Sequence, residues 1–130
     1  MDDPNWISIE LVMAIHQRQL AEHGGADGVR DMGLLESAIG RPRNLFLYTD
    51  PTPTIPVLAA SYAFGIARNH AFIDGNKRTA YVVCRLFLRF NGYDITASRE
   101  ERYGKFLGLA AGDVTEAELA DWLTANTARA

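Results

Sequence analysis

Cysteine is nearly missing from this chain. Cys84 is the only one in 130 residues, so no internal disulfide can form, and the usage fits a reducing compartment. Val82, Val83 and Leu86 around it mark the thiol as a small buried hydrophobe. Long apolar runs are missing too: no stretch approaches the roughly 20 residues that cross a bilayer. The opening M-D-D-P-N-W has no basic segment followed by an apolar one, as a secretory leader would. The expectation is a soluble, cytoplasmic protein with no membrane partner. Nor is there an excess of positive charge; the net charge of −3 argues against a sequence-independent nucleic-acid binder. Histidine is scarce, and His16 and His23 lie seven apart, where a shared metal site favours three or four; both read as surface or cap residues. Strand-like alternation is sparse, and repeats and low-complexity segments are absent.

What remains is helical. With 48% hydrophobic and 22% charged residues, the chain reads as one domain over residues 1–130, long enough to build a core without metal or disulfide staples. Ile7, Leu11, Ile15 and Leu20 form a helical stripe over Trp6 to Ala21, with Ser8 as an N-cap and Gly24-Gly25 as the stop. Asp31 caps a short helix carrying Leu34, Leu35, Ala38 and Ile39, which Gly40 and Pro42 end. Arg30 and Asp31 at its mouth read equally as a cap with a nearby ion pair or as substrate-side residues. Residues 43 to 55, with two prolines and no periodicity, read as a loop whose Phe46 and Tyr48 either anchor it or form a docking surface.

From Pro56 to Ala67 apolar residues occur almost all round, the mark of a central helix. A second apolar helix runs from near Asn76 to Phe90 and ends at Asn91-Gly92. Two more follow, Ser98 to Ala111 and one opened by the capping box Thr115…Glu118. The fold class is all-α: a compact single-domain bundle of about six helices.

Between the two most apolar helices lies R-N-H-A-F-I-D-G-N-K-R-T-A, from Arg68 to Ala80. Gly75 permits close backbone approach, and Asn76, Lys77 and Arg78 enter the first turn of a helix, where free N–H groups and the dipole already attract an anion. Lys77 adds a point charge and Arg78 a bidentate fork. Cations in a helix's first turn have the wrong sign for its dipole, and such broken rules gather at functional sites. Asp74 beside them either pairs with these cations or holds Mg²⁺ next to phosphates. His70 can take a proton from an attacking hydroxyl or stabilise developing charge, or it simply caps the helix end. Phe72 points into the core. Together these residues supply what phosphoryl or nucleotidyl transfer needs; spacing does not say which phosphate moves.

The stretch resembles the Fic/Doc signature H-x-F-x-(D/E)-G-N-(G/K)-R, standing here as His70, Phe72, Asp74, Gly75, Asn76, Lys77 and Arg78. The segment G-G-x-x-G-x-R-D-x-G-L-L-E-S-A from Gly24 to Ala38 and F-L-x-x-N-G-Y from Phe87 to Tyr93 look like the Doc branch. The resemblance implies the Fic fold and an enzyme using ATP and Mg²⁺. His70 would be the base and Asp74 the metal ligand. Arg68, Gly75, Asn76, Lys77, Arg78 and Thr79 would bind nucleotide phosphates, with His70, Lys77 and Arg78 catalytic. Adenylylating Fic enzymes usually carry glycine in place of Lys77 and a second arginine in place of Tyr81. Both differences match Doc toxins, bacterial protein kinases that phosphorylate a threonine of elongation factor Tu and arrest translation. Ala71 stands where proline is common. No (S/T)-x-x-x-E-(G/N) inhibitory helix is found, so the resemblance implies control by a Phd-like antitoxin bound in a groove on the surface; an apolar groove near Phe46 or Tyr103 is the expected place for it. The alternatives are a Fic-type adenylyltransferase and a non-catalytic, partner-binding fold.

Overall fold

A computed structural model describes residues 3–130. Within them are six helices: α1 (Ile9–His23), α2 (Met32–Tyr48), α3 (Ile55–Asn69), α4 (Asn76–Phe90), α5 (Arg99–Ala111) and α6 (Glu116–Ala125). The all-α expectation holds. Five of the six start on a side-chain cap: Ser8, Asp31, Thr54, Ser98 and Thr115 each accept a hydrogen bond from a first-turn N–H, and Thr115 and Glu118 complete the capping box. Gly75 opens α4 without one.

Helix α3 is the axis of the bundle. Nine of its residues, from Leu58 to Ala67, are buried, and it packs against α2, α4 and α6. The apolar-all-round pattern demands this, since any exposed side would leave hydrophobic surface in water. Gly65 lets α2 lie directly on it, because a side chain there would come within 3.1 Å of Ala38. The thiol of Cys84 is fully buried, and burial pushes its ionisation well up.

Three expectations are corrected. First, α1 begins at Ile9; Trp6 lies outside it, near Phe46 (5.7 Å) and stacked on Phe87 (5.9 Å). Second, α2 does not stop at Gly40 and Pro42 but continues through them to Tyr48, so half of the expected 43–55 loop is helical. Proline in a helix interior forfeits one hydrogen bond, and tertiary packing offsets the loss here. Pro42 is buried, Leu45 and Phe46 pack on the core, and Arg41 lies 5.3 Å over the Phe64 ring. Phe46 is therefore an anchor and Tyr48, 83% exposed, is not. Third, a small two-stranded antiparallel sheet exists: β1 (Tyr93–Ile95) pairs with β2 (Thr127–Arg129) in the register Tyr93↔Arg129, Asp94↔Ala128, Ile95↔Thr127. Three-residue strands are too short for alternation to reveal.

No helix is long and apolar enough to cross a membrane among the described residues.

Candidate active site

The stretch between α3 and α4 is held from three sides. Phe72, 1% exposed, drives it into the core as its spacing predicts. On one flank the α1–α2 connection lies antiparallel to it: Val29 bridges Phe72, Ile73 N–H donates to Gly28 O (3.1 Å), and Arg30 N–H donates to Ala71 O (2.7 Å). Within the loop, Asn76 clasps Phe72 at both ends, its Oδ1 accepting from Phe72 N–H (3.0 Å) and its Nδ2 donating to Phe72 O (2.9 Å). The Asn76 side chain is thus a brace for the loop, and only its backbone N–H faces the helix mouth.

His70 ends α3 in a left-handed conformation, φ 50° and ψ 46°. For a non-glycine residue this costs on the order of 1 kcal/mol or more. Arg30 offsets it: Nε donates to His70 O (2.8 Å) and Nη2 to Asn69 O (3.1 Å). Of what was expected for Arg30 and Asp31, the cap is formed and the ion pair is not, among the described residues. Asp31 caps α2 by accepting from Leu34 N–H (3.0 Å), and Arg30 grips backbone carbonyls. The His70 ring is exposed.

Asp74 is exposed and lies at the loop's other end. Its Oδ1 accepts from Gly75 N–H (2.8 Å) and its Oδ2 from Ala26 N–H (3.3 Å). No cation contacts it within salt-bridge distance among the described residues, so the pairing with Lys77 or Arg78 is not formed. An ionised carboxylate offers about four lone-pair positions, of which two are used. No group of three or more His, Cys, Asp or Glu gathers among the described residues. One open carboxylate beside an anion site fits Mg²⁺, an ion that takes one or two protein carboxylates and otherwise binds phosphates and water.

Gly75 takes φ 79°, and α4 starts there with no side-chain cap. The first helical bond runs from Thr79 N–H to Gly75 O (3.0 Å), which leaves the N–H groups of Asn76, Lys77 and Arg78 open to an anion. Lys77 and Arg78 line a cleft of about 620 Å³ between the end of α1, α4 and α5, with Tyr81, Arg85, Arg99 and Tyr103. The Lys77 ammonium stands 5.8 Å over the Tyr103 ring. Tyr81 packs edge-on against Phe106 (5.0 Å), and its hydroxyl accepts from Arg102 (3.4 Å).

Two expected phosphate-binding residues stand apart. Arg68 lies over Phe64 (5.9 Å) beside Gly112 at the end of α5, outside the cleft of Lys77 and Arg78. Thr79 is fully buried and its hydroxyl has no partner, because the fourth residue of α4 falls on the helix's core face. Sequence reasoning missed His16. Expected at the surface, it is 1% exposed, stacks on Phe72 at 3.7 Å and reaches the Asp74 carbonyl at 2.7 Å. The signal was available: His16 adjoins Ile15, on the edge of the apolar stripe.

Residues 6–88 match the model of the Fic/DOC family. The chain belongs to the Fic/Doc family. It is 37% identical over 117 residues to Protein kinase doc of Escherichia phage P1, covering 90% of this chain and 91% of that one. It is 43% identical over 74 residues to Toxin Doc of Mycolicibacterium smegmatis, 57% of each chain. Both relatives carry the Doc name, which places the chain in the Doc branch of Fic/Doc, in agreement with Lys77 and Tyr81.

Proposed function

We propose that this Fic/Doc chain is a Doc-type toxin kinase. It transfers the γ-phosphoryl group of ATP to a threonine hydroxyl of a translation factor, with elongation factor Tu as the substrate, and so arrests translation in the bacterial cytoplasm. The observation that carries this reading is the Lys77 side chain. It lines the cleft beside α4, its ammonium over the Tyr103 ring, on a helix that starts without a side-chain cap; in this reading it takes room that a glycine would leave for phosphates and adds charge there. A nucleotide is then held with its outer phosphate toward the loop. Tyr81, engaged by Phe106 and Arg102, supplies no second arginine for adenylyl transfer.

In this reading His70 removes the proton from the attacking hydroxyl, held in place by Arg30. The N–H groups of Asn76, Lys77 and Arg78, with the two cations, bear the phosphate charge as it shifts. Asp74 and the phosphates would hold Mg²⁺, which neutralises charge when bound. Thr79, turned into the core, makes no direct contact in this reading, while Arg68, exposed two residues before His70 and lying over Phe64, stays a proposed phosphate ligand.

A Phd-like antitoxin is the proposed partner. Of the two places considered for it, Phe46 is packed on Trp6, whereas Tyr103 is 64% exposed and Leu107 41%. An amphipathic acidic segment laid between Tyr103, Leu107 and the cations of the cleft would cover Lys77 and Arg78. The test is growth arrest and phosphoryl transfer by His70→Ala. Loss of both is expected; unchanged arrest contradicts a catalytic role.

A further inference from the structure

His16 is a buried titratable side chain that the reaction as described leaves unused. A carbonyl oxygen can only accept, so His16 Nε2, 2.7 Å from Asp74 O, carries the hydrogen and donates it. The ring is fixed by its stack on Phe72, with centroids 3.7 Å apart and planes 9° from parallel. The ring also lies next to Gly75: a Cβ there would be in ordinary contact, 3.6 Å from His16 Cδ2 and Nε2. Among the described residues, no backbone N–H bonds the Asp74 carbonyl. His16 is its partner.

The consequence follows from peptide planarity. The C=O of Asp74 and the N–H of Gly75 belong to one rigid unit, so holding the oxygen sets the direction of the hydrogen. That N–H donates to Asp74 Oδ1 at 2.8 Å. A path of hydrogen bonds and one planar peptide therefore runs from the His16 ring to the Asp74 carboxylate. The same plane leads into the left-handed glycine that opens α4.

We propose that His16 is a positioning residue. By donating from Nε2 to the Asp74 carbonyl it locks the Asp74–Gly75 peptide plane, and through it the carboxylate orientation and the anion-binding start of α4. This rests on the reading of Asp74 as the Mg²⁺ ligand of a kinase. Helix α1, which carries none of the signature residues, thereby becomes part of the active site's support.

The test compares His16→Phe, which keeps a stacking ring but loses the donor, with His16→Gln, whose side-chain amide can reach the same carbonyl. Two quantities are read in the full chain: hydrogen exchange of the Gly75 amide without nucleotide, and the Mg²⁺ concentration for half-maximal transfer from ATP. In His16→Phe the Gly75 amide exchanges about tenfold faster and the Mg²⁺ requirement rises about tenfold, while amides of α6 are unaffected. His16→Gln brings both back to within about threefold of the parent, since a donor is restored. Parental exchange in a folded His16→Phe, or a His16→Gln no better than it, overturns the proposal. If His16→Phe does not fold, His16→Met replaces it. Collapse of both would leave His16 a core residue only, and overturns it too. The amide measurement needs no ATP, so it decides this point even if the transferred group proves not to be the γ-phosphoryl.

Discussion

Arg30 holds His70 by its backbone: Nε donates to the His70 carbonyl at 2.8 Å while the residue sits at φ 50°. A left-handed histidine is strained, and the guanidinium fork keeps it there, at the position of the proposed base. Arg30→Ala should lower the transfer rate about tenfold and cost about 1 kcal/mol of stability in urea unfolding. Arg30→Lys should recover part of the stability and less of the rate, because an ammonium cannot bridge the Asn69 and His70 carbonyls as a fork does. Equal rates in Arg30→Ala and the parent would remove Arg30 from the account.

Gly25 is pinned by Asp74. A side chain at Gly25 would fall 2.7 Å from Asp74 Oδ2, and its φ of 124° strains any other residue. Gly25→Ala should destabilise the fold by about 1–3 kcal/mol and displace the carboxylate. Gly24→Ala is the control for open space, since nothing lies within 4 Å of that position, although its φ of 77° still carries a strain cost. Thermal melts and the Mg²⁺ requirement of the two variants should separate, with only Gly25→Ala raising the requirement.

Asp94 ties the two-stranded sheet to α4 through a bidentate pair with Arg85, at 3.0 and 3.1 Å. The hydrogen bonds from Arg85 hold the Asp94 carboxyl below the usual carboxylate range. A depressed acid contributes stability that is present above its unfolded pKa and lost as pH falls through the folded one. Stability measured from neutral pH down past about 4 should therefore fall less steeply in Asp94→Asn than in the parent. Both side chains are partly exposed, so the neutral-pH cost should stay near or below about 1 kcal/mol.

The sequence was most legible where one local rule acted alone. The caps at Ser8 and Asp31 and the Thr115–Glu118 box are short-range chemistry, and each stands where α1, α2 and α6 begin. The signature residues were legible because they are neighbours in the chain, in and around the one loop between α3 and α4. Legibility failed where distant packing outweighed local preference. Pro42 is tolerated inside α2 because the core buries it, and His16 is interior because Phe72, 56 positions away, offers it a stacking face. Thr79 looked like a ligand by its place in the motif, but helical rotation turns it to the core. Arg68 is expected from the resemblance alone; the sequence does not fix the direction of a long side chain at a helix end, which here lies over Phe64.

The central claim is that Lys77, beside an uncapped helix start, selects the outer phosphate of ATP. The direct measurement is incubation of the chain and elongation factor Tu with Mg²⁺ and ATP labelled at either the α- or the γ-phosphate, alongside His70→Ala. The account predicts label on the factor from the γ position, none from the α position, and none in His70→Ala. Label retained from the α position alone would contradict it and make the chain an adenylyltransferase.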